Sequence, residues 1–412
     1  MLEFIIWGAI FFISSELIFY LIINYVNKRF QWLITNRDEK PKISTSDLEK
    51  FFHHGYDEEL GWIRKPNTSH AENGKYGETK WSINSKSCRN NPNFENYESK
   101  ISCFGDSFAF CRQVNDNETW EHYLSDMLQI NVKNFGVGNY GIDQALLRLK
   151  REYPENKTPI VIMGIVPDTI SRIMSIWKHY YEYGNTFGFK PRFKLENDSL
   201  SILNNPINNQ SKFSHYEEFL EDIRKNDYFY INKFRKEIIR FPYSITIFKN
   251  TKRNFSIVFL VLVNEILKKI KKANAKTEWM PMSLIMKINL RWRIKLFEDI
   301  SSTLLLKRII EEYVHYVKKQ GSIPAIVFIP QKDDILFIKN NYHFYRNFMK
   351  ELDTIEGLIH INATDHFFKI KNLDEFYSDD NEYGGHLSRE GNKELASIIY
   401  SELDRIISKV NN

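Results

Sequence analysis

Cysteine is scarce in this chain of 412 residues: Cys88, Cys103 and Cys111 are the three present, and none sits in a CxxC or CxxH spacing. That excludes a disulfide framework and a zinc module, so no metal site is expected. Glycine and proline are also few, 17 and 12, which rules out collagen-like and low-complexity disordered chains. Neither charge sign dominates. Lys and Arg total 57 and Asp and Glu 52, a net charge of +5. This excess is spread along the chain, without the dense basic stripe of a nucleic-acid binder, and no nucleic-acid partner is expected. No internal repeat stands out. What remains is a folding chain two to three times the length of a typical domain of about 150 residues.

Long hydrophobic runs are confined to one place. Positions 4–26 read FIIWGAIFFISSELIFYLIINYV, and about 20 apolar residues at ~1.5 Å rise each are enough to span a bilayer core. Glu16 interrupts the run. At mid-membrane a charge costs at least ~2.5 kcal/mol, so it is expected to be protonated or paired with another helix. The run has no basic flank before it and no small-x-small cleavage site, and is read as an uncleaved single-pass anchor over 1–27. A polar stretch, 28–50, reads as a linker, and 51–412 as the body. Lys28, Arg29, Arg37, Lys40 and Lys42 follow the run, which by the positive-inside bias favours a cytoplasmic body. A second apolar run, FSIVFLVLV at 255–263, is flanked by lysines. It is too short to span and reads as a buried or interfacial helix.

From position 100 onward a strand-helix rhythm appears: strands at 101–104, 131–136 and 159–164, with helices from 117 and over 141–151 between them. It resumes with a helix at 303–319, strands at 323–330 and 357–361, a helix at 341–353 between those strands, and a final amphipathic helix at 389–409. Strands alternating with helices imply a parallel sheet covered on both faces. The rhythm lapses between about 175 and 300, a stretch dense in aromatics and lysine with helical segments, read as a mainly helical insertion. Its aromatics are read as a cap with its own core, as a groove for sugars, or as a face against lipid headgroups.

Two motifs carry chemistry. The first strand ends in Gly105-Asp106-Ser107, which sets a hydroxyl at the carboxyl edge of the sheet, where open α/β folds bind ligands. A helix following Ser107 would aim its dipole there. Serine attacks an ester only when a base takes its proton. Near the other end, DDNEYGGHLS at 379–388 places His386 on a loop before the last helix, with acids just upstream to orient its ring.

Together, GDS and GGHLS resemble the SGNH/GDSL hydrolase superfamily, in its membrane-anchored bacterial form associated with cell-surface polysaccharides. The likeness covers about 100–170 and 320–408, with weaker likeness in DEELGWIRKPN (57–67) and INSKSCR (83–89). It implies a three-layer α/β/α, flavodoxin-like domain that acts as an esterase, lipase or acyltransferase without a metal or other cofactor. An acylated carbohydrate or another ester is the implied substrate, and the resemblance favours an extracytoplasmic body, against the flanking charges. Ser107 would be the nucleophile and, through its own N–H, one oxyanion donor. The segment NFGVGNYG, 134–141, would supply a second at Asn139, preceded by Gly138, because the donor is a backbone amide and Asn tolerates positive φ.

Two positions depart from the pattern. The family's third donor is an Asn side chain, and Pro167 stands there in MGIVPDTISR; losing one such donor costs about 2.7–4 kcal/mol. Either Arg172 or another group substitutes, or the enzyme is slow or inactive. The family's acid three residues before the histidine is Tyr383 here. Asp380 is assigned in its place, with Asp379 and Glu382 behind it. Asp106 is an alternative as a structural residue, and Asp333 and Asp334 read as solvated loop acids. These departures keep a second expectation alive, an SGNH fold that binds glycan or assists assembly without catalysis. A third is a structural membrane protein whose 175–300 segment docks a partner.

Overall fold

The computed structural model describes residues 1–379 and 385–410. Five short strands form one parallel sheet: β1 (Ser99–Gly105), β2 (Asn131–Asn134), β3 (Ile160–Ile165), β4 (Ile323–Phe328) and β5 (Ile359–Asn362). The spatial order is β2-β1-β3-β4-β5, every neighbour parallel. That is the flavodoxin-like order, with its switch point between β1 and β3. All six residues of β3 are buried, as expected of a central strand covered on both faces.

Strand alternation divides the core in two. Phe104, Val161, Met163, Ile326 and Phe328 face the helices Ile142–Glu152 and Ile300–Lys319. Ile101, Cys103, Ile160, Ile162, Ala325 and Val327 face Trp120–Leu128 and the closing helix Arg389–Val410. The chain is therefore a three-layer α/β/α domain. Ahead of it the lead-in forms an antiparallel ribbon, Ser69–Gly74 with Gly77–Ser82.

The insertion lies between β3 and β4 and carries a small ribbon, Arg192–Glu196 with Ser199–Leu203, and several helices. Its last helix, Ala275–Glu298, is keyed into the sheet domain by Arg293. That buried guanidinium meets Asp333 at 3.1 Å and Asp168 at 3.5 Å and also pairs with Asp334. Asp333 and Asp334 are buried, so neither is the solvated loop acid that composition suggested.

Among the described residues one helix, Leu2–Asn27, is long and apolar enough to cross a membrane. Glu16 does not face outward on it. Its carboxylate accepts hydrogen bonds from the backbone N–H groups of Tyr243 and Ser244 and from the Ser244 hydroxyl, capping the helix Tyr243–Lys249. Below this cap, Ile23 and Val26 pack on Ile247, Ile257, Val258, Val261 and Ile285 of the insertion. The apolar run at 255–263 thus belongs to the helix Ser256–Lys269, which buries one face against the first helix. Its other face leaves Phe259 57% and Ile266 58% exposed.

Candidate active site

Ser107, Gly138, Asn139 and His386 all line one cleft of about 450 Å³, open at the carboxyl ends of β1 and β2. Its other walls come from the lead-in (Trp62, Ile63, Arg64) and from the insertion (Lys178, 184–188).

The Ser107 turn is built from its neighbours. Gly105, at φ +153°, has no room for a side chain: a Cβ there would lie 2.0 Å from the Gly164 carbonyl oxygen of β3. Asp106 is fully buried. One carboxylate oxygen accepts from the Phe108 N–H at 2.8 Å, closing the turn over Ser107, and the other takes Arg172 Nη1 at 2.9 Å. Burial raises the Asp106 pKa and the Arg172 charge opposes that shift. Asp106 therefore shapes the turn. The segment directly after Ser107 is a series of tight turns, with Cys111 and Gln113 at φ +58° and +66°, and the helix expected from 117 runs over Trp120–Leu128.

Arg89, from the INSKSCR motif, holds those turns in place. Its guanidinium donates to the carbonyl oxygens of Phe110 and of Val114, the latter at 2.7 Å, and pairs with Asp116 at 2.8 Å. A second clamp comes from the LGWIRKPN motif, where Trp62 Nε1 donates to the Gly138 carbonyl at 2.9 Å. Asn139 adopts φ +67°, a conformation Asn tolerates better than most residues.

His386 is oriented by an amide. Its Nδ1 lies 2.8 Å from Gln113 Oε1, which also receives the His386 backbone N–H at 3.2 Å and the Ser378 hydroxyl at 2.8 Å. The backbone N–H can only donate, so the shared atom is the amide oxygen and Nδ1 carries the proton. The amide nitrogen faces the Asn73 carbonyl at 3.3 Å, consistent with that orientation. Nε2 is then the basic nitrogen. Among the described residues the hydrogen bonds of His386 go to Gln113 and Ser378, not to Ser107; such bonds commonly tighten only in the complex with substrate. Burial pushes the imidazole pKa down to about 3, helped by Arg112 and opposed by Glu72. Glu72 also accepts from the Gln113 N–H at 2.9 Å and from Arg112 Nε at 3.0 Å, so it braces the loop that carries Gln113.

Asp380, Glu382 and Tyr383 lie outside the described residues, so the sequence-based assignment of Asp380 has no structural account here. Asp379 is described; Lys332 donates to its backbone carbonyl at 2.9 Å. Arg172 does not take the role expected of it. It is buried beneath the site, bound to Asp106, to Asp168 at 3.1 Å and to the Tyr140 carbonyl at 3.0 Å, and it does not line the cleft. Pro167, with no N–H, offers no replacement.

Gln113, Glu72 and Arg64 escaped the sequence reading as site residues. A signal existed for Arg64, which lies inside the lead-in motif; an isolated Gln or Glu carries none.

Among known proteins, no protein-family model matches the chain, and no curated protein does either. Among solved structures, one assigned to the G-D-S-L lipolytic family, from Desulfitobacterium hafniense DCB-2, is similar over 74% of this chain and 98% of its own, at 12% identity and a TM-score of 0.34.

Proposed function

We propose that this protein is a membrane-anchored serine hydrolase or acyltransferase of SGNH type acting on an acyl ester, with O-acetyl groups of a cell-surface glycan as the favoured substrate. The observation that carries the reading is the presence of Ser107 and His386, 279 positions apart in sequence, on one cleft together with Gly138 and Asn139. In this mechanism Ser107 Oγ attacks the acyl carbon and its proton passes to His386 Nε2. The backbone amides of Ser107 and Asn139 donate to the tetrahedral oxyanion. His386 then protonates the departing alcohol, and water or a sugar hydroxyl, deprotonated by the same imidazole, takes the acyl group from Ser107. Gln113 keeps Nδ1 protonated and Nε2 basic, the part that Asn plays in Cys-His-Asn enzymes.

The Leu2–Asn27 helix serves as the anchor in this reading. Support for a membrane-facing insertion comes from Ile245, Phe248, Phe259, Ile266 and Ile270, all exposed, beside Lys249, Lys252, Lys268 and Lys269. Such a face suits the boundary of an anionic bilayer.

A second reading keeps the fold as a non-catalytic glycan-binding or assembly subunit. Pro167 at the third donor position and a neutral amide on His386 favour it. Turnover of 4-nitrophenyl acetate separates the two: the hydrolase reading expects activity that Ser107→Ala abolishes, and full activity in that variant would refute it.

A further inference from the structure

Three cations line the cleft: Arg64, Arg112 and Lys178. Two are matched. Arg112 is forked onto Glu72, with Nε at 3.0 Å, and Lys178 faces Glu182 at 2.9 Å. Arg64 has no hydrogen bond and no ion pair among the described residues. Its guanidinium lies over the Trp81 ring at 4.5 Å and over Phe110 at 5.2 Å, so aromatic faces hold its plane while the N–H edge is left to the cleft. That edge stands at the oxyanion segment: a Cβ built on Gly138 would lie 3.8 Å from Arg64 Nη2. Burial and the neighbouring Arg112 charge push the Arg64 pKa down to about 10, opposed by Glu72; Arg64 stays charged at neutral pH, and the Glu72 carboxylate is hydrogen-bonded to Arg112 and not to Arg64.

A guanidinium held flat, partly desolvated and with no ion pair among the described residues is costly unless the ligand brings the charge. A planar fork pairs best with a carboxylate, through two parallel N–H···O bonds. We infer that the ester taken by this cleft carries a carboxylate, and that Arg64 binds it beside the Gly138-Asn139 segment. This rests on the serine-hydrolase reading above and narrows its substrate class to acidic esters, such as an O-acylated sugar acid. Arg64 is then a specificity residue, outside the acyl-transfer chemistry.

The test compares 3-acetoxybenzoate with 3-acetoxybenzamide, an isosteric pair that differs in charge. Wild-type protein is expected to prefer the carboxylate in kcat/KM by about ten- to a hundredfold, the range for a hydrogen bond to a charged group. Arg64→Gln is expected to remove the preference, with the larger loss falling on the carboxylate ester, and Arg64→Lys to restore part of it. Equal loss on both esters would overturn the inference, since Arg64 would then act on the reacting carbonyl, and so would no preference in wild type. If Ser107 proves not to be a nucleophile, the proposed function fails and the anion site is still read by calorimetry. Ser107→Ala protein is expected to bind 3-acetoxybenzoate at least tenfold more tightly than the Ser107→Ala/Arg64→Gln protein, and equal binding would overturn it.

Discussion

The imidazole of His386 rests on the side-chain amide of Gln113, with Nδ1 and Oε1 2.8 Å apart, although the two residues are separated by 273 positions in sequence. An amide oxygen fixes the tautomer as a carboxylate would, but it stabilises the imidazolium far less. This pairing sets the first two predictions.

Replacing Gln113 with leucine removes the acceptor for Nδ1–H and releases the ring. In a serine triad the wrong tautomer costs about 10⁴ in kcat, and a loss of at least a hundredfold is expected for Gln113→Leu. Gln113→Glu supplies a charge and is expected to raise the apparent base pKa in a kcat/KM profile. An unchanged profile for both variants would mean that Gln113 does not orient the base.

Depression of the His386 pKa to about 3 makes the base neutral well below the usual range of ~6.5 for histidine. The acid limb of kcat/KM is therefore expected below pH 5, not near 6.5. The sign for stability follows from linkage: between pH 6.5 and 3 the unfolded chain binds the proton and the native one does not, so stability falls as the medium is acidified through that window. His386→Gln is expected to flatten the corresponding part of a urea-midpoint profile against pH.

Arg172 joins Asp106 and Asp168 beneath the Ser107 turn, at 2.9 and 3.1 Å. Removing one partner of a buried ionic cluster leaves uncompensated charge and costs about 3–5 kcal/mol. Arg172→Met is expected to lower stability by that order in chemical denaturation, with activity lost through the displaced turn. A variant as stable as wild type would show that the cluster is not needed to hold the turn.

Protein lacking residues 1–27 is expected to retain salt-sensitive flotation with vesicles of mixed phosphatidylcholine and phosphatidylserine, and to lose it when Phe259 and Ile266 become serine. Absence of any residual binding after deletion would remove the insertion from the membrane boundary.

The sheet was legible because its strands are short apolar runs punctuated by turns, and β3, buried along its whole length, is the strongest of them. Ser107 and His386 were legible as motifs. The turns after Ser107, where Cys111 and Gln113 take positive φ, left no local signal, since the group that gathers their carbonyls, Arg89, lies in the lead-in. Asp333 and Asp334 look solvated in composition because their partner, Arg293, lies 40 and 41 positions earlier on another element. Pairings of that range leave no local pattern.

The central claim is that Ser107 is an activated nucleophile, and covalent labelling with a fluorophosphonate tests it most directly. Intact mass and peptide mapping of the folded protein are expected to give one adduct, on Ser107, absent after denaturation or in Ser107→Ala and strongly slowed in His386→Ala. Folded wild-type protein that stays unlabelled, or labels with equal rate without His386, would contradict the account.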